Sequence, residues 1–133
     1  VRLDADFTNK QFGRIDQSIA MGALFTAYHL GCKAILALTE SGSTALWMSR
    51  YRIQTPIFGL TTQPVTQRRM ALYRNVRPLL MHSHGDRDST LAAAERLLVE
   101  RGVLMPGDTY AITCGEPMGY PGGTNMLKVC RVA

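Results

Sequence analysis

Four short apolar segments alternate with segments of helical periodicity, and this alternation restricts the fold more than any other feature of the sequence. The apolar segments, each five or six residues long, are Lys33–Leu38, Pro56–Leu60, Val76–Met81 and Thr109–Thr113. Continuous apolar runs of this kind are typical of strands that a parallel sheet buries on both faces. Because consecutive parallel strands need a long crossover, usually a helix, the alternation predicts a parallel sheet covered by helices.

The segments between these strands carry helix signals. Apolar residues recur at helical spacing from Ile15, and Gly31 provides a C-terminal stop. The best-marked helix has Asp88 or Ser89 as its predicted N-cap and ends before Gly102. Two shorter helices are predicted over residues 45–50 and from residue 62 to about residue 73.

A loop rich in glycine and proline, Cys114–Met126, precedes the final apolar segment, Leu127–Val132. The loop lacks the helix of a usual parallel crossover, so the last strand is predicted to return antiparallel at an edge of the sheet. We therefore expect one α/β domain, a three-layer α/β/α sandwich around a five-stranded, mostly parallel sheet with an antiparallel last strand.

Composition fits a single domain and argues against several classes of function. The chain has 133 residues, of which 46% are hydrophobic, enough for one core. Its longest apolar run, Ala34–Leu38, is far below the roughly 20 residues of a membrane-spanning helix, and Val1–Asp6 lacks a signal-peptide segment, so we expect a cytoplasmic protein without membrane contact. The net charge of +5 comes from scattered arginines without an aromatic ladder or recognition helix, so nucleic acid is not an expected partner.

The segment Thr39–Thr44 joins the first predicted strand to a helix. Ligands of open α/β sheets bind beyond the carboxyl ends of the strands, so this turn stands where a ligand is expected. Its hydroxyl groups can donate to an oxyanion, and its glycine lets the backbone amides approach closely. The candidate phosphate-binding residues are Thr39, Ser41, Gly42, Ser43 and Thr44.

A second interpretation of the same turn is ordinary helix capping by Ser41 or Ser43, and the residues alone do not choose between the two. Glu40 opposes an anion site unless its side chain points away or meets a ligand hydroxyl. No GxGxxG follows a strand and the turn lacks the lysine of a P-loop, so NAD and ATP are not expected ligands.

Other residues have weaker claims to chemistry. His82 and His84, with Asp86 nearby, could bind a metal, and Cys114 at a strand end could be a nucleophile with a histidine base; the simpler interpretation is a solvent-facing loop and a core thiol. The cysteines show no metal-ligand spacing and are predicted to be buried free thiols. They are Cys32, Cys114 and Cys130.

Several separated motifs resemble, in this order, the C-terminal domain of bacterial pyruvate kinases, especially the group called type II. The motifs are "GCKAILALTESGSTALWMSRYR", "PIFGLTT", "GDRDSTLAAAERLLVERG" and "PGGTNMLKVCRV". The likeness covers nearly the whole chain. Several motifs in the right order are more specific than any one of them.

The resemblance implies that residues 1–133 are an allosteric domain and that residues 1–14 are its entry segment from a catalytic (β/α)8 barrel. In the family, phosphate passes from phosphoenolpyruvate to ADP on that barrel with Mg²⁺ and K⁺, so this chain is expected to hold no catalytic residue, cofactor or metal. The absence of an initiator methionine before Val1 fits a larger parent protein. The parent is expected to be a homotetramer.

The resemblance also assigns the effector site. The effector phosphate maps onto the turn residues already singled out, although some relatives carry lysine or arginine where Ser43 stands. The loop expected to close over the effector's sugar contains Gly119, Pro121, Gly122, Gly123 and Thr124. Because His82–Arg87 lacks the tryptophan that the family uses for fructose 1,6-bisphosphate, the expected effector is a sugar monophosphate or AMP.

Two alternative functions stay open at this stage. The first is a free-standing phosphometabolite-binding or interaction module with no kinase attached. The second is a small enzyme that uses Cys114 or His84, which predicts turnover by the isolated chain.

Overall fold

The computed structural model describes residues 14–82, 85–115, 118 and 122–133. Within this part of the chain, four helices alternate with five strands, as the apolar pattern predicts. The elements are α1 (Ile15–Leu30), β1 (Ala34–Leu38), α2 (Ser43–Ser49), β2 (Ile57–Thr61), α3 (Pro64–Met70), β3 (Val76–Leu80), α4 (Arg87–Glu100), β4 (Thr109–Gly115) and β5 (Thr124–Arg131).

The five strands form one sheet with β1 at its centre. Strand β1 pairs in parallel with β2 on one side and with β4 on the other. Strand β3 extends the sheet in parallel beyond β2, and β5 pairs antiparallel with β4, which gives the order β3-β2-β1-β4-β5. The predicted antiparallel last strand at an edge is therefore confirmed.

Helices cover both faces of the sheet, and side chains of successive strand residues enter opposite cores because Cβ atoms alternate along a strand. One core packs α1, α2 and α3 against the sheet through Leu24, Ile35, Met48, Ile57 and Met70. The other core packs α4 against the opposite face through Leu36, Phe58, Leu91, Leu98 and Ile112. The structure thus confirms the three-layer α/β/α sandwich.

Helix α4 begins earlier than predicted. Its N-cap is Asp86, so the assignment of Asp88 or Ser89 as N-cap was wrong. The side chain of Asp86 accepts the backbone N–H of Ser89 at 2.8 Å, which satisfies one of the amides that a helix leaves unpaired at its start. Several capping residues in a row made the boundary ambiguous in the sequence.

Strand β5 also begins earlier than predicted, at Thr124 and not at Leu127. A register shift between Cys114 and Gly115 lets Thr124 pair with Gly115, so β4 is longer as well. The connection between the two strands is correspondingly shorter than the sequence suggested.

The strand order places a topological switch point beside β1. The chain moves outward from β1 to β2 and β3, and then returns to the other side of β1 to form β4. The carboxyl end of β1 leads directly into the Thr39–Thr44 turn, at the edge of the sheet where ligands of such folds bind. Among the described helices, none combines the length and apolar character needed to cross a membrane.

Replacing Asp86 by alanine should lower the melting temperature of the protein at neutral pH, because the Ser89 amide loses its acceptor. Hydrogen bonds from the amide and hydroxyl of Ser89 hold the pKa of Asp86 below its ordinary value of 3.8. A depressed folded-state pKa stabilises the fold above the unfolded value and ceases to do so as pH falls through the folded one. Thermal melts should therefore show the two proteins converging below pH 3.8.

The matched control is Asp88→Ala, which removes a neighbouring carboxylate that is 83% exposed and contacts Arg87 at 3.4 Å. This variant should change the melting temperature less than Asp86→Ala, because Asp88 caps no amide. A melting difference for Asp86→Ala that persisted undiminished in acid would contradict the capping role.

Candidate functional site

The Thr39–Thr44 turn has a backbone shape that depends on glycine. Gly42 has a φ of 85°, in the left-handed region that residues with a side chain rarely adopt. A β-carbon at this position would lie 3.4 Å from side-chain atoms of both Met70 and Thr66. The turn is therefore packed closely against α3, and the positive φ of Gly42 makes a larger residue strained at its centre.

Polar groups of the turn bond to one another. The Gly42 amide donates to Thr39 Oγ1 at 2.9 Å, and the Ser43 amide donates to Ser41 Oγ at 3.2 Å. Gly42 is the N-cap of α2 and provides no capping side chain. Neither Ser41 nor Ser43 is the N-cap, so the capping interpretation was wrong in its residue, although Ser41 Oγ accepts the amide of the first helical residue, Ser43.

The structure brings the predicted turn and the predicted effector loop together. The hydroxyl of Thr44 donates to the hydroxyl of Thr124 at 2.8 Å, and both side chains are buried. Gly122 and Gly123 lead from the loop into β5 beside this contact. The other two predicted loop residues, Gly119 and Pro121, lie outside the described residues.

A cavity of about 140 Å³ opens at the carboxyl edge of the sheet. Polar lining comes from the turn, from the ends of β2 and β3 and from α4. The polar residues are Thr39, Glu40, Thr61, Thr62, His82, Thr90 and Thr124. Gly122 and Gly123 of the predicted loop also line the cavity, whereas Ser41, Gly42, Ser43 and Thr44 lie beside it and not in its lining.

Glu40 turns away from the amides of the turn, which answers the objection that its charge opposes an anion there. Its carboxylate accepts the Thr62 amide at 3.1 Å and the Thr62 hydroxyl at 2.5 Å, with longer contacts from Thr61 and Gln63. Partial burial acts to raise the pKa of Glu40, but these hydrogen bonds outweigh it and the net direction is downward. Glu40 is therefore an ionised acceptor on the cavity wall at neutral pH.

Two arginines from outside the turn lie close to it. Arg69 Nη1 donates to the carbonyl oxygen of Ser41 at 3.2 Å. Arg14 forms an ion pair with Asp16, whose carboxylate accepts the Ser43 hydroxyl at 2.9 Å. No local pattern marks these residues, because α1 and α3 reach the turn only through the tertiary fold.

The structure gives no support for a catalytic role of Cys114 or of the histidines that it describes. Cys114 is fully buried in the core, as predicted for a structural thiol, whereas Cys130 is only half-buried. His84 lies outside the described residues, and His82 is exposed on the rim of the cavity. Among the residues that the structure describes, no group of three or more His, Cys, Asp or Glu could hold a metal ion.

Comparison with known proteins agrees with the motifs. The profile of the family described as "Pyruvate kinase, alpha/beta domain" matches residues 17–130. The pyruvate kinase of Buchnera aphidicola subsp. Baizongia pistaciae is 41% identical over 123 residues, which cover 92% of this chain and 26% of that protein. Pyruvate kinase II of Salmonella typhimurium is 38% identical over 132 residues, which cover 98% of this chain and 26% of that protein.

The pyruvate kinase of Staphylococcus epidermidis strain RP62A is 38% identical over 112 residues, which cover 84% of this chain and 19% of that protein. The chain thus spans about a quarter or less of the length of these relatives. The family profile, in contrast, covers the chain from the first turn of α1 almost to the end of β5. The chain therefore belongs to the pyruvate kinase alpha/beta domain family.

Proposed function

We propose that this domain binds a phosphorylated effector, a sugar monophosphate or AMP, and regulates the pyruvate kinase to which it belongs. One observation supports the proposal most. A hydroxyl-rich turn, a glycine-containing loop and a polar cavity lie next to one another at the topological switch point of the sheet. The phosphate occupies the Thr39–Thr44 turn. The sugar occupies the adjoining cavity.

Charge and hydrogen-bonding capacity favour this division of the ligand. Arg69 lies at the mouth of the turn, and the charge of Arg14 is balanced by Asp16, so Arg69 provides the net positive charge at the phosphate end. The cavity wall, by comparison, offers the ionised carboxylate of Glu40 and the hydroxyls of Thr61 and Thr62. Carboxylates and hydroxyls accept hydrogen bonds from the hydroxyls of a sugar.

The parent enzyme, on this proposal, transfers phosphate from phosphoenolpyruvate to ADP and assembles as a homotetramer. Its Mg²⁺ and K⁺ belong to a catalytic barrel outside this chain. The domain itself is inactive. Its contribution is a binding free energy that differs between two states of the whole enzyme, which is the requirement for allosteric control.

The first test is Ser43→Glu in the full-length enzyme. A carboxylate at this position adds a negative charge to the turn, where it would repel the phosphate. Binding of glucose 6-phosphate should weaken by at least about tenfold, equivalent to about 1.4 kcal/mol. Steady-state kinetics should show that activation by the sugar phosphate is lost while turnover without it is unchanged.

Gln54→Glu is the control for this substitution. It adds the same charge at an exposed position before β2, at the opposite edge of the sheet, and should leave activation unaltered. Intact activation in Ser43→Glu would remove the turn from the effector site.

A ligand series tests the preference for a single phosphate. Titration calorimetry should detect binding of glucose 6-phosphate, ribose 5-phosphate or AMP, and weaker binding of fructose 1,6-bisphosphate. The physical reason is that a second phosphate in the cavity would meet the Glu40 carboxylate, whose lowered pKa keeps it charged. Glucose without phosphate should give no measurable heat, and tighter binding of the bisphosphate than of every monophosphate would refute the assignment.

A further inference from the structure

Asp16 lies in the first turn of α1, and its side chain is 1% exposed. Its carboxylate is fully used by hydrogen-bond donors. Arg14 donates to both oxygens at 2.9 and 2.8 Å, and the Gln17 amide donates to Oδ1 at 2.9 Å. The fourth donor is the Ser43 hydroxyl, 27 residues along the chain, at 2.9 Å from Oδ2. A buried negative charge therefore sits directly against the proposed phosphate turn.

The contact with Asp16 fixes the direction of every hydroxyl in the turn's hydrogen-bond chain. An ionised carboxylate only accepts, so Ser43 must donate its single hydroxyl hydrogen to Asp16. Ser41 then donates to Ser43 Oγ at 3.1 Å and accepts the Ser43 amide at 3.2 Å. The chain of donors runs from the amide through two hydroxyls and ends on Asp16.

A phosphate oxygen has the same requirement as the Asp16 carboxylate, because both accept and neither donates when ionised. The hydrogen of Ser43 can serve one of them at a time. A phosphate that takes this hydrogen must replace Asp16, and the two anions repel each other at such short range. Effector binding at the turn is thus an exchange of one anion for another.

The surroundings of Arg14 give this exchange a second consequence. The Arg14 guanidinium lies 5.9 Å from the ring centre of Trp47, and a β-carbon added at Gly122 would meet its Nη2 at 3.4 Å. Arg14 therefore adjoins both α2 and the loop that precedes β5. Because two hydrogen bonds join Arg14 to Asp16, a movement of Asp16 away from Ser43 would also move the Arg14 guanidinium.

We propose that Asp16 is an internal competitor of the effector phosphate: it occupies the Ser43 hydroxyl in the empty site, lowers the affinity of the turn for phosphate, and connects occupancy of the turn to the start of α1. This inference rests on the proposed function and adds the residue that tunes the site. Asp16 does not contact the ligand; it acts through Ser43.

The test compares the wild-type enzyme with Asp16→Asn, which keeps the shape of the side chain and removes its charge. Titration calorimetry with glucose 6-phosphate should show about tenfold tighter binding by the variant. Asp88→Asn makes the same charge change at an exposed position on α4, and its affinity should equal that of the wild type.

The chain's sole tryptophan, Trp47, provides a second readout. Its emission in ligand-free Asp16→Asn should shift in the direction that saturating glucose 6-phosphate produces in the wild type.

A double-mutant cycle separates competition for Ser43 from a general effect of charge. In a Ser43→Ala background the contested hydroxyl is absent, so adding Asp16→Asn should improve affinity much less than it does in the wild type. Equal improvement in both backgrounds would overturn the inference. Where thermal melts show that Asp16→Asn does not fold, Asp16→Ser takes its place in the same cycle.

The two proposals fail in different ways. If the wild type binds glucose 6-phosphate and Asp16→Asn binds it equally or more weakly, Asp16 is not a competitor, while the effector site itself stands. If none of the proteins binds glucose 6-phosphate, ribose 5-phosphate or AMP, both the site and the inference are wrong.

Discussion

The parallel pairing of β1 on both of its sides is the constraint on which the rest of the structure depends. All five residues of β1 are buried, and the strand bonds to β2 and β4 along its length. Its carboxyl end must therefore emerge between two neighbours, with helices on both faces. Only a tight turn fits there, and the left-handed backbone of Gly42 makes that turn possible. The position of the candidate site follows from the sheet.

The elements of the fold were predictable because their signals are local. Buried strands must be apolar on both faces, and helices must repeat their apolar residues with their own period, so short windows of sequence reveal both. The boundaries were less predictable where several residues could perform one role, as with Asp86 and its neighbours at the start of α4. The start of β5 depended on a register shift beside Gly115, which is a property of the paired strands and not of one segment.

The polar residues of the candidate site were predictable from the sequence, but their hydrogen-bond partners were not. The hydroxyls and the glycine of the turn are visible in the sequence, whereas the carboxylate that accepts the Ser43 hydroxyl comes from α1. Asp16 falls just after the polar stretch expected to be only an entry segment, and nothing in its neighbours indicates a partner 27 residues away. Most buried polar groups in proteins are paired, and in this turn the fold provides the partners itself. An unpaired hydroxyl would have signalled the site more plainly, at a cost in stability.

This internal pairing bears on how a regulatory domain can work. Among the hydrogen bonds that link the turn to distant elements, two reach α1 and β5: Ser43 donates to Asp16 at the start of α1, and Thr44 donates to Thr124 at the start of β5. In the proposed binding mode, a phosphate in the turn would disturb the first bond and lie next to the second. Helix α1 packs directly on β5, so both changes reach the same pair of elements at the edge of the sheet. A ligand that only added contacts would tighten the turn and leave α1 and β5 in place. A ligand that takes the Ser43 hydroxyl from Asp16 would instead change the hydrogen bonds of α1. Under this proposal, the exchange of hydrogen-bond partners is what would carry the effect of a bound metabolite beyond its own site.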